Sequence, residues 1–107
     1  MTPAARTLAK LKADGYRCAV VERWNPHARI RQDLFGCIDI LAIRDGETLA
    51  VQTTSASHVS HRVRKLTDAE AFADIRRAGW RVEVHGWRKA KNGRWQCRTV
   101  DVSRERP

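Results

Sequence analysis

Ile38-Asp39-Ile40-Leu41-Ala42-Ile43-Arg44-Asp45-Gly46-Glu47-Thr48-Leu49-Ala50-Val51-Gln52-Thr53-Thr54 decides the architecture. Residues 38–43 are apolar on both alternations except at Asp39, the pattern of a central strand covered on both faces. Asp45-Gly46 supplies the positive backbone angles of a two-residue hairpin turn, and Thr48 to Thr54 reads as the returning strand. A regular hairpin pairs Arg44 with Glu47 and Leu41 with Ala50, and it sets Asp39 opposite Gln52 on one sheet face. A three-residue turn would send Gln52 to the opposite face, because a one-residue slip reverses every side chain. Thr54 lies two residues beyond Gln52.

Upstream, Thr2 is positioned to cap a helix over about residues 3–14 whose first residue is Pro3 and which Gly15 stops. Tyr16 to Trp24 is rich in aromatic and β-branched residues and reads as a strand, followed by an irregular polar stretch from Asn25 to Gln32. Downstream, Ser55 to Ser60 reads as a loop or helix start. Val59, Val63, Leu66, Ala69, Phe72, Ala73 and Ile75 then recur at helical spacing through Arg77, with Thr67 a candidate fresh N-cap inside the run and Gly79 the stop. Trp80–Trp87 and Arg94–Val102 read as strands joined at Asn92-Gly93, and 103–107 as a frayed tail. The order α-β-β-β-α-β-β predicts an α/β fold, a mixed sheet flanked by helices with the second helix as a crossover.

The chain has 107 residues, which suits a single domain spanning 1–107. Its 42% hydrophobic content argues against disorder. No apolar run approaches the ~18 residues of a membrane span, and residues 1–6 lack the apolar stretch of a signal peptide, so the expectation is a soluble cytoplasmic protein without a membrane partner. Cys18, Cys37 and Cys97 are odd in number and far apart, which favours buried free thiols over a disulfide framework. The net charge is +9, and residues 55–107 hold 13 basic against 6 acidic residues. That excess points to a polyanion, nucleic acid before an anionic membrane.

Asp39 carries the chemistry. A carboxylate within an apolar strand is costly to bury unless a cation, a metal or hydrogen-bond donors stabilise it. Gln52 and Thr54 are its expected neighbours, and Asp33 stands before the short Leu34-Phe35-Gly36 segment that can fold back toward it. Structural readings stay open beside this one. Asp39 could be satisfied by Arg31 or backbone donors, Asp33 could be a turn residue, and Glu22 could face solvent. His58 and His61 fit solvated positions better than a metal pair without a third ligand. Trp80, Trp87 and Trp95 fit packing better than base stacking.

Gly36-x-x-Asp39 followed by Gln52-Thr53-Thr54 resembles the PD-(D/E)XK nuclease superfamily, which includes Holliday-junction resolvases, VRR-NUC-type domains and Mrr-type restriction endonucleases. The resemblance covers roughly residues 3–87. In that family an Asp opens one strand of a hairpin, and the next strand carries an acidic residue or Gln, one spacer and a Lys. Gln52 is similar to the Mrr-type variant, whereas Thr54 stands where the Lys belongs.

The resemblance implies a restriction-endonuclease-like αβββαββ core and metal-dependent hydrolysis of duplex or branched DNA by a homodimer. Asp39, the Gln52 side-chain oxygen and the Thr53 carbonyl are the implied ligands of Mg²⁺ or Mn²⁺, with Glu22 and Asp33 as further carboxylates. Asp39, Gln52, Thr54 and Glu22 are the implied catalytic positions. Thr54 carries no charge, so Lys65, His58 or His61 would have to supply a cation from another part of the backbone. Arg62, Arg64, Lys65, Arg88, Lys89, Lys91 and Arg94 are candidate phosphate contacts. The rival expectations are a DNA-binding module that keeps the fold without cleavage, favoured by Thr54, and an interaction protein for an acidic partner.

Overall fold

A computed structural model describes residues 1–104 of the chain. Helix α1 (Pro3–Ala13) begins as its sequence dictates: the Ala5 amide donates to Thr2 Oγ1 at 3.1 Å, and Pro3 fills the first position, where no amide donor is needed. Strands β1 (Arg17–Val20), β2 (Arg23–Asn25), β3 (Ile30–Gln32), β4 (Ile40–Arg44) and β5 (Glu47–Ser55) follow. A short 3-10 turn (Ala56–His58), α2 (Val59–Thr67) and α3 (Phe72–Arg77) lead to β6 (Arg81–Lys89) and β7 (Trp95–Asp101). The fold is α/β, with a mixed five-stranded sheet in the order β1-β4-β5-β6-β7. Only β5 and β6 run parallel, as the helical crossover between them requires.

The β4–β5 hairpin has the expected register, with Arg44 opposite Glu47 and Leu41 opposite Ala50. Its two faces pack against different helices. Ile40, Ala42, Leu49 and Val51 meet Leu11 and Tyr16 on the α1 side. Ala50, Val82 and Val84 meet Val59, Leu66, Phe72 and Ile75 on the α2–α3 side. The crossover lies very close to the sheet: a β-carbon added to Gly86 would stand 2.1 Å from Val59 Cγ2 and 3.0 Å from the Ala56 α-carbon. Only glycine fits there without moving a buried, rotamer-restricted valine.

Several segments differ from expectation. The strand read over 16–24 breaks after Val20, where its partner β4 begins, and β2 pairs with β3 as a separate two-stranded hairpin. The supposedly irregular 25–32 stretch therefore contains a turn and a strand, and the Asn25 side chain orders that turn by accepting from the His27 and Ala28 amides at 3.0 and 3.1 Å. The helix read over 59–77 is two helices broken at residues 68–71. Thr67 closes the earlier one by donating to the Arg64 carbonyl instead of capping the later one. Ser103 is tied down, accepting from the Val82 amide at 2.8 Å, which corrects the frayed reading at that residue; 105–107 lie outside the described residues. Of the three free cysteines only Cys37 is buried. Among the described residues no helix is long and apolar enough to cross a membrane.

Candidate functional site

The site lies where β4 stops and β5 continues. Extending the ladder would set Ile38 opposite Thr53, but the Ile38 carbonyl accepts from the Leu34 amide at 2.9 Å in a tight turn over 34–38. Phe35 and Gly36 both have positive φ in that turn, 54° and 75°. The Thr53 amide therefore has no backbone partner across the ladder. Asp39 replaces it: its carboxylate accepts from the Thr53 amide at 2.9 Å and from Thr53 Oγ1 at 3.3 Å. A side chain thus closes the end of a sheet.

The β2–β3 hairpin supplies the other two acids. Arg23 stands opposite Gln32 at its base, so Glu22 and Asp33, one residue further out on each strand, emerge side by side. Glu22, Asp33 and Asp39 each offer a carboxylate oxygen, and all three oxygens lie within 4.8 Å of one another. They line an open hollow of about 890 Å³ whose wall also includes Arg31, Thr53, Thr54, Ser55, Arg62 and Lys65.

Gln52 is fully buried behind this group. Its amide nitrogen donates to the Cys37 carbonyl at 2.7 Å and to Asp33 at 3.2 Å, and its oxygen accepts from Arg62 Nη1 at 3.5 Å. Both groups on the nitrogen side accept hydrogen bonds, so the orientation is fixed by chemistry: the oxygen faces the arginine, not the acids. Gln52 acts as a support for Asp33 and does not present an oxygen to the cluster. Thr53 meets Asp39 through its amide and hydroxyl.

Electrostatically the cluster is strained. Burial pushes the Asp39 carboxyl up to about 7; the Thr53 amide pulls it back, and the charges of Asp33 and Glu22 push it up again. The cations stand outside the acids. Lys65 Nζ is 3.6 Å from Asp33 and Arg31 Nη1 is 3.8 Å from Glu22, while no ion pair is formed by Asp39 among the described residues. Arg31 therefore pairs with Glu22 and does not satisfy Asp39.

The remaining expected residues divide by position. Thr54 is nearly buried in the hollow wall and brings no charge, and Lys65, three residues beyond Arg62 on α2, supplies the ammonium. His58 Nδ1 is 2.8 Å from Ser55 Oγ and lies outside the hollow's wall, as does the exposed His61. Arg64, Lys91 and Arg94 are exposed and lie outside the wall of the acidic hollow, whereas Arg88 and Lys89 line a second one. Two positions escape the sequence reading: Arg31 as the neighbour of Glu22, and Arg62 as the residue that fixes Gln52. The Asn25-Pro26 pair, a turn signal, is the cue to the hairpin that holds Glu22 and Asp33 together.

Oxygens around a hard divalent cation at 2.0–2.6 Å lie about 3–5 Å apart, so the three carboxylates fit such an ion by spacing and by donor type. No protein-family model and no curated protein matches this sequence.

Proposed function

We propose that the chain is a divalent-metal-dependent nuclease domain that hydrolyses phosphodiester bonds in duplex or branched DNA. The observation that carries this reading is the convergence of Glu22, Asp33 and Asp39 within 4.8 Å in an open hollow flanked by Arg62 and Lys65. With the separate β2–β3 hairpin set aside, the order α1-β1-β4-β5-α2-α3-β6-β7 supports it, as do the Asp39…Gln52 pair and the +9 charge.

Glu22, Asp33 and Asp39 would hold Mg²⁺ or Mn²⁺, which supplies Lewis-acid polarisation of the phosphate and a more acidic water. The other residues have separate tasks. Lys65 reaches the hollow from α2 and replaces, from another backbone position, the cation that Thr54 lacks; it neutralises charge that develops on the phosphate. Arg62 binds the DNA backbone while holding the Gln52 oxygen. Gln52 positions Asp33, and the Thr53 amide positions Asp39. Homodimerisation, which would place two such sites on two strands, belongs to the same proposal.

The test incubates the protein with supercoiled plasmid and with a four-way junction in Mg²⁺ and in Mn²⁺, beside Asp39→Asn and Lys65→Ala. Nicking or junction cleavage that both substitutions abolish is the expected result. Binding of DNA with no cleavage in either metal would leave the second reading, a DNA-binding module on the same fold, which the uncharged Thr54 favours. Equal cleavage by wild type and Asp39→Asn would overturn the assignment of the site.

A further inference from the structure

A second hollow adjoins the acidic one, and the two share Pro3 and Ser55 in their walls. It measures about 440 Å³ and is lined by Arg6, Trp87, Arg88, Lys89 and Trp95 among others, with no acidic residue in its wall among the described residues. Trp95 begins the edge strand β7 and is 43% exposed, which is unusual for so large an aromatic residue. The Arg6 guanidinium lies over its ring, 3.7 Å from the centroid, and Arg6 Nε is buried without a hydrogen-bond acceptor. An aromatic ring stacked by Arg6 on one side and still part-exposed occurs together with three cations.

From this arrangement we infer that the second hollow binds an unpaired nucleobase and its phosphate, adjacent to the phosphate held in the acidic hollow. The inference deepens the proposed nuclease reading by defining its substrate: DNA with a single-stranded segment beside the bond to be cut. A nucleobase offers a π-face to Trp95, which accepts any base and gives affinity without sequence preference. The attached phosphate supplies the anion that the three cations lining the hollow, Arg6, Arg88 and Lys89, attract. A fully paired duplex keeps its bases stacked inside and has nothing to place on the ring. Purely electrostatic attraction would not distinguish the two forms, whereas stacking would.

Binding measured in EDTA isolates this step from cleavage. The ligands are a blunt duplex and the same duplex with a three-nucleotide single-stranded overhang. Wild type is expected to bind the overhang form about 10-fold more tightly, in the range one stacked base provides. Trp95→Ala removes that preference while leaving blunt-duplex affinity unchanged, and Trp95→Phe, which keeps a ring, retains much of it. Asp39→Asn keeps the preference in full. Equal affinity of wild type for both ligands overturns the inference, as does a Trp95→Ala loss that is the same for both. If Trp95→Ala does not fold, Lys89→Gln carries the test: a lower salt dependence and a reduced overhang preference support the site, and no change in either refutes it. A preserved preference in a protein that cuts nothing in Mg²⁺ or Mn²⁺ would end the nuclease reading but not this one. Cleavage of both ligands with no overhang preference would do the reverse.

Discussion

The β4–β5 hairpin holds a carboxylate at each end, and the two have opposite environments. At the turn end, Glu47 accepts from Tyr16 Oη at 2.7 Å, from Arg44 Nε at 3.2 Å and from Arg81 Nη1. Those donors, Arg81 foremost, hold its carboxyl down at about 2. At the open end Asp39 sits beside two more acids, and burial together with their charge lifts its carboxyl to about 7. The strands, the register and the sheet are common to both. What differs is the supply of donors, which is complete around Glu47 and short by roughly one cation around Asp39. A structural carboxylate is matched by the chain itself, whereas one left short leaves room for a ligand of opposite charge.

The most severe way to break this contrast is to remove the charge at one end at a time. Asp39→Asn keeps an acceptor for the Thr53 amide but removes a third of the acidic oxygens, so DNA cleavage is expected to fall by about 10²–10³-fold. The same variant should be no less stable than wild type at pH 8, because it relieves repulsion between buried Asp39 and the half-buried Glu22 and Asp33. A melting temperature well below wild type, together with intact cleavage, would show that Asp39 is merely structural.

The next largest effect concerns the support behind the acids. Gln52→Leu removes the amide that holds Asp33 to the Cys37 carbonyl, and loss of such an outer partner typically weakens metal affinity 10–100-fold. Mn²⁺ titration by calorimetry measures this directly. An unchanged affinity would mean that Asp33 needs no help to face the site.

Proton linkage gives a smaller, signed effect. The folded value of Asp39, about 7, lies above its ordinary value of 3.8, so the folded state holds the extra proton between those limits. The stabilisation is complete below about pH 4 and is lost as the pH rises through 7. Metal-free protein should therefore melt about 5 °C lower at pH 8 than at pH 6, with the difference nearly absent in Asp39→Asn. Mn²⁺ at ten times its Kd should restore about 1.4 kcal/mol to wild type at pH 8 and very little at pH 5, where protons compete for the same oxygens. A stability profile that is flat from pH 6 to 8 would contradict the charge shortage at Asp39.

How far these features are readable in the sequence follows the same division between local and distant causes. The Arg44–Glu47 register is legible because Asp45-Gly46 marks a two-residue turn, although only Gly46 takes the expected positive φ, 67°. The ladder then ends at Ile40–Val51, the Asp39 amide donates to the Val51 carbonyl, and the Asp39 carboxylate meets Thr53 and not Gln52, its expected partner. The β2–β3 hairpin is only faintly legible: Asn25-Pro26 signals its turn, but all of Ile30–Gln32 is exposed and no burial alternation marks the returning strand. Without that hairpin nothing in the residue pattern brings Glu22 and Asp33 together; only the family resemblance suggests that they meet. His85 escapes notice for a related reason. It is 1% exposed, with Nδ1 3.2 Å from Thr7 Oγ1 and Nε2 2.9 Å from Glu83 Oε1, and Thr7 lies 78 residues away. Trp95 reads as packing in the sequence because aromatic residues usually pack, whereas its place at the start of an edge strand leaves it open.

The smallest expected effect is the most discriminating. Glu47→Gln keeps an acceptor for Tyr16 and weakens the attraction of Arg44 and Arg81, on a side chain that still keeps about a fifth of its surface in water. Solvent screens such pairs, so the melting temperature should fall by only a few degrees, less in high salt. DNA cleavage, the Mn²⁺ shift and the pH dependence between 6 and 8 should stay at wild-type values, since Glu47 is already charged throughout that range. Asp39→Asn is expected to alter each of those three readings while costing no stability. A pair of variants that change opposite columns of the same measurements separates a matched carboxylate from one held for a ligand. If Glu47→Gln instead moved the Mn²⁺ shift, the two ends of the hairpin would be coupled through the strands, and the charge shortage at Asp39 would not be a property of the local cluster alone.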